Sequence, residues 1–311
     1  MEFFHKVLHI NFLGVRKYTF AASIAVLIVA IVSLSIHGLN LAVDFTGGVT
    51  VQVSYPGPAN LRQIRDTLTA DGYKDAIVQN YGTPQEVLIR LQPKKGVSGK
   101  DTAGDVMAGL QKVTSQARLE KTYFVGPEVG KDLATKGSLA FILTLAGILI
   151  YIIFRFEWRL AVGGVLATLH DVVFVVGFFS IFHLEFDLNV LAAVLAVMGY
   201  SVNDTVVVFD RIREDFRIMR KGTSFEIINL AINQTLSRTI ITSGTTLLVV
   251  IALLVLGGPV LHGFSIALCV GIIIGTYSSI YIASAIALML GVSKKDLMVR
   301  VKEDKKVDDM P

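Results

Sequence analysis

Six long apolar segments constrain the fold of this chain more than any other feature of its sequence. A bilayer core about 30 Å thick is crossed by roughly 20 residues of α-helix, because each residue rises about 1.5 Å. Hydrophobic residues make up 53% of the chain and charged residues only 17%, a balance that indicates lipid surroundings. We therefore predict a polytopic α-helical membrane protein with six transmembrane helices. The six segments are residues 18–36, 137–154, 160–182, 188–209, 239–256 and 264–290.

Lysine and arginine residues are concentrated in alternate connections between these segments. Cytoplasmic connections carry the excess of such residues in membrane proteins. The short connections 183–187 and 257–262 contain neither residue type. The pattern predicts that both termini are cytoplasmic and that the segment between the first two helices lies outside. The residues behind this prediction are Lys6, Arg16, Lys17, Arg155, Arg159, Arg211, Arg213, Arg217, Arg220, Lys221, Arg238, Lys294, Lys295 and Arg300.

The segment outside the membrane has the pattern of a small folded domain. Apolar and polar residues alternate from Val49 to Tyr55, which predicts a strand. Asn60 precedes an apolar stripe of helical spacing and is a suitable N-cap. Strand, strand, helix and strand patterns then follow at 76–81, 86–91, 101–114 and 119–125. This βαββαβ order predicts an α+β ferredoxin-like domain.

The predicted division of the chain follows from these two patterns. It consists of a cytoplasmic N-terminus (1–17), a first transmembrane helix (18–38), an extracytoplasmic domain (39–136), a five-helix bundle (137–290) with a cytoplasmic loop (210–238), and a cytoplasmic C-terminal tail (291–311).

Ionisable side chains within the membrane helices are the candidate functional residues, since they are costly there and usually have a task or a partner. His170 and Asp171 lie in the third helix, with Asp171 about 18 Å along the helix from Arg159, near the middle of the bilayer. Asn203 and Asp204 lie in the fourth. Each carboxyl could bind and release protons, or could remain protonated and hydrogen bonded for assembly. We expect His170 to be a packing or supporting residue, because consecutive helical positions do not share a face.

Arg238 and the small residues of the fourth and sixth helices have two interpretations each. Arg238 opens the fifth helix, either as a topology anchor that reaches toward the cytoplasm or as a cation for the fourth-helix carboxyl. Stripes of small residues indicate close helix contacts, with this chain or with another. The stripes are Ala192, Ala196, Gly199 and Asn203, and Ala267, Gly271, Gly275, Ser279, Ala283 and Ala287.

Other functional classes find little support. The single cysteine, Cys269, permits no intrachain disulfide, and we expect no metal, no cofactor and no catalytic residue. No phosphate-binding loop is present. The net charge of +4 follows the membrane topology, so we expect no nucleic-acid partner. An intramembrane aspartyl protease is disfavoured, because neither Asp171 nor Asp204 stands in a Gly-x-Gly-Asp context.

Four motifs resemble the SecF family of bacterial protein-export membrane proteins. The run 200–214, Tyr-Ser-Val-Asn-Asp-Thr-Val-Val-Val-Phe-Asp-Arg-Ile-Arg-Glu, is similar to the fourth-helix signature of that family. Residues 234–239 match the family's entry to the fifth helix only in their later part. The motifs beside the first and second helices also match, at Asp44, Phe45, Thr46, Gly47 and Gly48, and at Gly126, Pro127, Glu128, Val129 and Gly130.

The resemblance implies a subunit of the resistance-nodulation-division superfamily in the bacterial inner membrane. It implies a SecD partner that supplies the other half of a twelve-helix unit, the SecYEG translocon with SecA, YajC, an unfolded preprotein and membrane lipid. It also implies proton passage through Asp204 and Arg238, with Asn203 beside them, and movements of the outside domain. The glycines of the motifs at 44–48 and 126–130 are expected to be either joints between the domain and the membrane helices or tight turns without motion. The alternative function is an exporter of a lipid or small solute in the same superfamily.

Overall fold

The computed structural model describes residues 9–94, 97–219 and 221–297. A 3-10 turn, Leu13–Val15, precedes the first helix, and a π-helical turn, Ser279–Ala283, interrupts the last membrane helix. Lys6, Arg220 and Arg300, which carry part of the predicted orientation, lie outside the described residues, as do residues 298–311 of the predicted tail. In chain order the elements are α1 (Arg16–Ile36), β1 (Asn40–Leu41), α2 (Val43–Thr46), β2 (Gly48–Ser54), α3 (Leu61–Ala70), β3 (Ile77–Tyr81), β4 (Thr83–Leu91), α4 (Gly99–Val113), β5 (Arg118–Val125), α5 (Pro127–Arg155), α6 (Trp158–Ile181), β6 (Glu185–Phe186), α7 (Leu188–Ile218), α8 (Ser224–Leu256), α9 (Gly258–Ser278), α10 (Ser284–Met289) and α11 (Lys294–Leu297).

The described residues contain six helices that are long and apolar enough to cross a membrane, as predicted. They are α1, α5, α6, α7, α8 and a sixth membrane helix formed by α9, the π-helical turn and α10. Helix α5 begins at Pro127, where a proline fits the first turn and Glu128 interacts favourably with the helix dipole. Residue 136, the predicted end of the outside domain, therefore lies inside a continuous helix.

Most of the predicted loop 210–238 is helical. Helix α7 continues to Ile218, and α8 begins at Ser224. Arg211 forms ion pairs with Glu214 at 2.8 Å and Asp215 at 3.3 Å, one turn along α7. Thr223 and Glu226 form a capping box that starts α8. The charged residues that marked this segment as a loop thus stabilise extensions of the two helices.

The segment between α1 and α5 folds into an antiparallel four-stranded sheet in the order β3-β4-β2-β5, with α3 and α4. The predicted order of four strands and two helices is therefore present. The Asn60 side chain accepts a hydrogen bond from the backbone of Gln63 and caps α3, as expected. The core of this domain is a single apolar cluster that includes Val49, Val51, Val53, Ile64, Leu68, Val106 and Leu110.

Short elements attach this domain to the helical bundle. Strand β1, after α1, pairs in parallel with β6, between α6 and α7. Arg90 of β4 forms an ion pair with Glu185 of β6 at 3.2 Å. The Glu185 carboxylate also accepts a hydrogen bond from Gln79 of β3 at 3.1 Å. The Arg90–Glu185 pair therefore joins the sheet directly to the connection between two membrane helices.

The membrane helices differ in how much of their surface this chain covers. Of the most apolar part of each helix, 61% is buried in α6 and 50% in α7, but only 11% in α5 and 17% in α8. The sixth membrane helix is 50% buried as well, so that α6, α7 and this helix form the centre of the bundle. The apolar faces of α5 and α8 are left for lipid or for another chain.

Candidate functional site

Asp204 lies in α7 where that helix meets α8 and the sixth membrane helix. Its side chain is buried, with the residue only 5% exposed. Thr239 of α8 donates a hydrogen bond to Oδ1 at 2.8 Å, and Ser279 of the π-helical turn donates to Oδ2 at 2.5 Å. The carboxyl is therefore held by hydroxyl groups from two different helices.

Asp171 forms a second buried carboxyl site in α6. Nδ1 of His170 lies 2.9 Å from Oδ1, and Ser278 donates to Oδ2 at 2.7 Å. Ser201 of α7 also donates to Oδ2. Three side chains on three elements thus surround a carboxyl that is fully buried.

His170 supports the Asp171 carboxyl, which is one of the two roles expected for it. Consecutive helical positions do point in different directions, but the imidazole is long enough to reach back to the neighbouring carboxyl. The other ring nitrogen, Nε2, is buried and has no hydrogen-bond partner among the described residues. His170 is therefore part of the Asp171 site rather than a separate packing residue.

The side chains of Arg238 and Asn203 are not among the described hydrogen-bond partners of Asp204, which are Thr239 and Ser279. Arg238 and Asn203 are exposed at the surface of the bundle. No hydrogen bond or ion pair within the described part of the chain joins Arg238 to Asp204, although the Arg238 charge attracts the carboxyl electrostatically. Of the predicted proton-pathway residues, Asp204, Asp171 and His170 are enclosed by helices of this chain, while Arg238 and Asn203 face outward.

The two stripes of small residues have different environments. Every member of the sixth-helix stripe, from Ala267 to Ala287, is buried within this chain. Every member of the α7 stripe, from Ala192 to Asn203, is exposed. The first stripe therefore packs against this chain's own helices, and the second is left open beside the Asp204 site.

The two glycine motifs meet at the junction of the domain with the membrane helices. Gly47 has a φ of +71°, a conformation that favours glycine. A Cβ atom at Gly130 would lie 2.7 Å from the Gly47 backbone nitrogen. The Asp44 carboxylate accepts a hydrogen bond from the Leu188 backbone at 3.2 Å, and the Phe45 and Phe186 rings lie 6.2 Å apart. The motif glycines thus allow close contact between α5 and the turn after α2.

Gly130→Val is expected to destabilise this junction by about 1–3 kcal/mol, because a branched side chain overpacks against backbone atoms that cannot move aside. Thermal unfolding of the purified full chain measures the change. Gly104→Val is the matched control, because nothing lies within 4 Å of a Cβ at this helical glycine. Equal melting temperatures for the two variants would contradict the close contact.

Sequence reasoning did not single out Ser201, Ser278 or Thr239 as site residues. Ser201 and Thr239 lie within the SecF-like runs, and Ser278 stands beside a residue of the buried stripe. The usable signal was a hydroxyl group in an otherwise apolar helix, but serine and threonine also occur in such helices with only local hydrogen bonds. The pairing of each hydroxyl with a carboxyl depends on the packing of the helices.

These features define a class of polytopic membrane protein, with six apolar helices, an α+β domain after the first, and buried carboxyls in the third and fourth. Residues 105–293 match the family described as Protein export membrane protein SecD/SecF, C-terminal, and residues 32–55 match the SecD/SecF GG Motif. The chain belongs to the SecF family of protein translocase subunits. With its six apolar helices, this membership supports a multi-pass protein of the bacterial inner membrane.

Relatives and a solved structure agree with this family. Protein translocase subunit SecF of Vibrio alginolyticus is 48% identical over 305 residues, which cover 97% of each chain. Protein translocase subunit SecF of Pseudomonas aeruginosa is 45% identical over 308 residues, covering 98% of this chain and 99% of the relative. The crystal structure of SecDF, a translocon-associated membrane protein from Thermus thermophilus, matches with a TM-score of 0.82 and 37% identity, over 91% of this chain. This chain spans 39% of that SecDF chain.

Proposed function

We propose that this chain is a subunit of the bacterial protein-export machinery that couples the proton-motive force to translocation of unfolded preproteins. The observation that carries the proposal is the Asp204 carboxyl, which is buried between α7, α8 and the sixth membrane helix. Its hydrogen bonds to described residues come from the hydroxyl groups of Thr239 and Ser279. A hydroxyl can donate to a carboxylate or accept from a protonated carboxyl. Such a site can take up and release a proton without losing its hydrogen bonds.

Arg238 supplies the charge that makes proton binding depend on conformation. It stands on α8 close enough to attract Asp204, and it is not hydrogen bonded to that carboxyl. A shift of α8 against α7 that brings the guanidinium closer favours the ionised carboxylate, and a shift away favours proton uptake. A charge crossing about 100 mV releases about 2.3 kcal/mol, which is enough to bias two arrangements of similar free energy.

The proposed orientation puts both termini in the cytoplasm and the ferredoxin-like domain outside. The distribution of lysine and arginine supports it. The contact of Gly47 with Gly130 and the Arg90–Glu185 pair then connect the membrane helices to the domain that acts on the emerging preprotein. The chain acts in this scheme by binding and movement, without enzymatic catalysis.

SecD is the proposed partner. The exposed stripe of small residues on α7 and the largely uncovered α8 suit close packing against another set of membrane helices. The similarity to SecDF, of which this chain spans only part, supports a partner that supplies the remainder. SecYEG, SecA and YajC are proposed as further partners on the resemblance of the motifs alone.

Arg238→Gln is expected to remove the component of export that depends on the proton-motive force, because no cation then stabilises the ionised form of Asp204. Arg238→Lys should retain part of it, since the charge remains but the guanidinium geometry does not. Export of a reporter preprotein at graded proton-motive force measures this. Arg62→Gln, at an exposed position of α3, is the control. Undiminished force dependence in Arg238→Gln would contradict the proposal.

A further inference from the structure

The sixth membrane helix changes from α to π geometry where it passes the two buried carboxyls. Ser278 is the last residue of α9, and Ser279 is the first of the π-helical turn. π-helical turns are rare and are frequent at functional sites. The Ser284 hydroxyl donates to the Ser279 carbonyl at 3.2 Å, which satisfies a backbone group within the altered turn. This turn also packs tightly on α6, because a Cβ at Gly163 would lie 2.7 Å from the Ala283 oxygen.

The two serines bind different carboxyls. Ser278 donates to Asp171 on α6 at 2.7 Å, and Ser279 donates to Asp204 on α7 at 2.5 Å. A second connection runs through α7, where Ser201 donates to Asp171 from a position one turn before Asp204. The two carboxyl sites are therefore joined through α7 and through the sixth membrane helix.

Each serine hydroxyl has an alternative acceptor. The Ser278 hydroxyl lies 3.2 Å from the Gly275 carbonyl oxygen, and the Ser279 hydroxyl lies 3.0 Å from that of Thr276. A hydroxyl carries one proton, so it donates either to the carboxylate or to the carbonyl. When the carboxyl gains a proton it becomes a donor, and the hydroxyl can accept from it while donating to the carbonyl. The exchange breaks and forms hydrogen bonds only, and the incoming proton stays on the carboxyl oxygen.

We propose that Ser278 and Ser279 form a paired hydroxyl switch that makes proton binding at Asp171 and Asp204 interdependent. Asp171 with His170 is then a second proton-binding centre beside Asp204, and the two serines are positioning residues. His170 belongs to this centre because its Nδ1 lies 2.9 Å from the Asp171 carboxyl. The role of the switch in export depends on the function proposed above, but the coupling of the two sites does not.

The titratable groups that face the two carboxyls are few among the described residues. His170 bonds to Asp171 from its own helix, and the Tyr277 ring on α9 lies 6.4 Å from the His170 ring. Arg238 on α8 acts on Asp204 from the surface. Thr239 and the three serines contribute hydroxyl groups only. Because these hydroxyls are uncharged, a change in the proton affinity of Asp204 on removal of the Ser278 hydroxyl is transmitted through hydrogen bonds and not by the loss of a charge.

Infrared spectroscopy of the full chain with its partner in lipid vesicles tests the coupling. The carbonyl band of protonated Asp204 is the band that disappears in Asp204→Asn. Its intensity is measured as a function of pH, and the pH at which half of the band is lost is the titration midpoint of Asp204. Asp171→Asn and Ser279→Ala are each expected to shift the proton affinity of Asp204 by about tenfold, which is one pH unit. Ser278→Ala should shift it in the same direction as Asp171→Asn. Ser279→Cys, which keeps the size but weakens the donor, should produce a smaller shift than Ser279→Ala.

Ser265→Ala is the matched control, because Ser265 is buried in the same helix and its hydroxyl has no hydrogen-bond partner among the described residues. An Asp204 midpoint that is the same in the Asp171, Ser278 and Ser279 variants as in Ser265→Ala would overturn the proposal. This outcome is distinct from failure of the export proposal. If Asp204→Asn exports preproteins with normal force dependence while the midpoint shifts, the export role fails and the coupling stands.

Discussion

Asp204→Asn is expected to reduce export to the level measured when the proton-motive force is collapsed, while the chain remains folded and assembled. The amide has nearly the size of the carboxyl, and its oxygen can still accept a hydrogen bond from Thr239 or Ser279. The amide cannot bind and release a proton near neutral pH. Export of a reporter preprotein by membrane vesicles, at several values of the force, measures the loss.

The control for this variant is Asp66→Asn, which removes a carboxyl from an exposed position of α3. It should export with normal force dependence. Co-purification with SecD separates a loss of coupling from a loss of assembly. If Asp204→Asn were assembled and its export still rose with the force, Asp204 would not be the proton carrier.

Glu185→Ala is expected to destabilise the attachment of the α+β domain by about 3 kcal/mol, because it leaves the buried Arg90 guanidinium without its paired carboxylate. Arg90 is only 3% exposed, and its Nε and Nη2 atoms have no other hydrogen-bond partner among the described residues. Hydrogen exchange at the backbone amides of β1 and β6 measures the attachment. Faster exchange is expected at both strands, with the core of the domain unchanged.

Two further variants separate the charge from the shape of this contact. Arg90→Met with Glu185→Leu removes both charges and should restore most of the stability, since an apolar pair of similar size replaces the ion pair. If the amides of β1 and β6 exchanged as fast in this double variant as in Glu185→Ala, the unpaired charge of Arg90 would not be the cause of the destabilisation.

Glu185→Gln is expected to destabilise the attachment less than Glu185→Ala does. Burial raises the pKa of Glu185, although Arg90 lowers it, so a neutral side chain is tolerated at this position. A raised pKa means that the folded protein binds this proton more tightly than the unfolded chain does. The contribution of Glu185 to stability therefore increases as the pH falls through its raised pKa, rather than being lost. We expect wild-type attachment to persist under mild acid, as measured by the same amide exchange.

Several elements follow from local sequence patterns. The six membrane helices follow from apolar length, and the domain's strand and helix order follows from periods of two and 3.6 residues. The Asn60 cap was also predictable, because a cap depends on residues within one turn. The extension of α7 to Ile218 was not anticipated, because charges that suit a loop equally suit ion pairs on a helix surface.

Only part of the candidate site could be predicted from the sequence. Asp171 and Asp204 stand out, since a carboxyl in an apolar helix is costly wherever that helix packs. The partners of these carboxyls are far away in the chain: Asp171 binds Ser278, and Asp204 binds Thr239 and Ser279. Their pairing depends on how three helices rotate and approach one another.

The sequence by itself determined that this chain spans a membrane, carries one small domain between its first two helices, and keeps ionisable groups in its third and fourth. These properties depend on the cost of placing each residue in lipid or water, which is local. Only the tertiary structure decided that Arg238 and Asn203 face outward and that consecutive serines bind two different carboxyls. A hydrogen bond requires two groups to meet within about 3 Å, and for residues distant in the chain the packed helices alone set that distance.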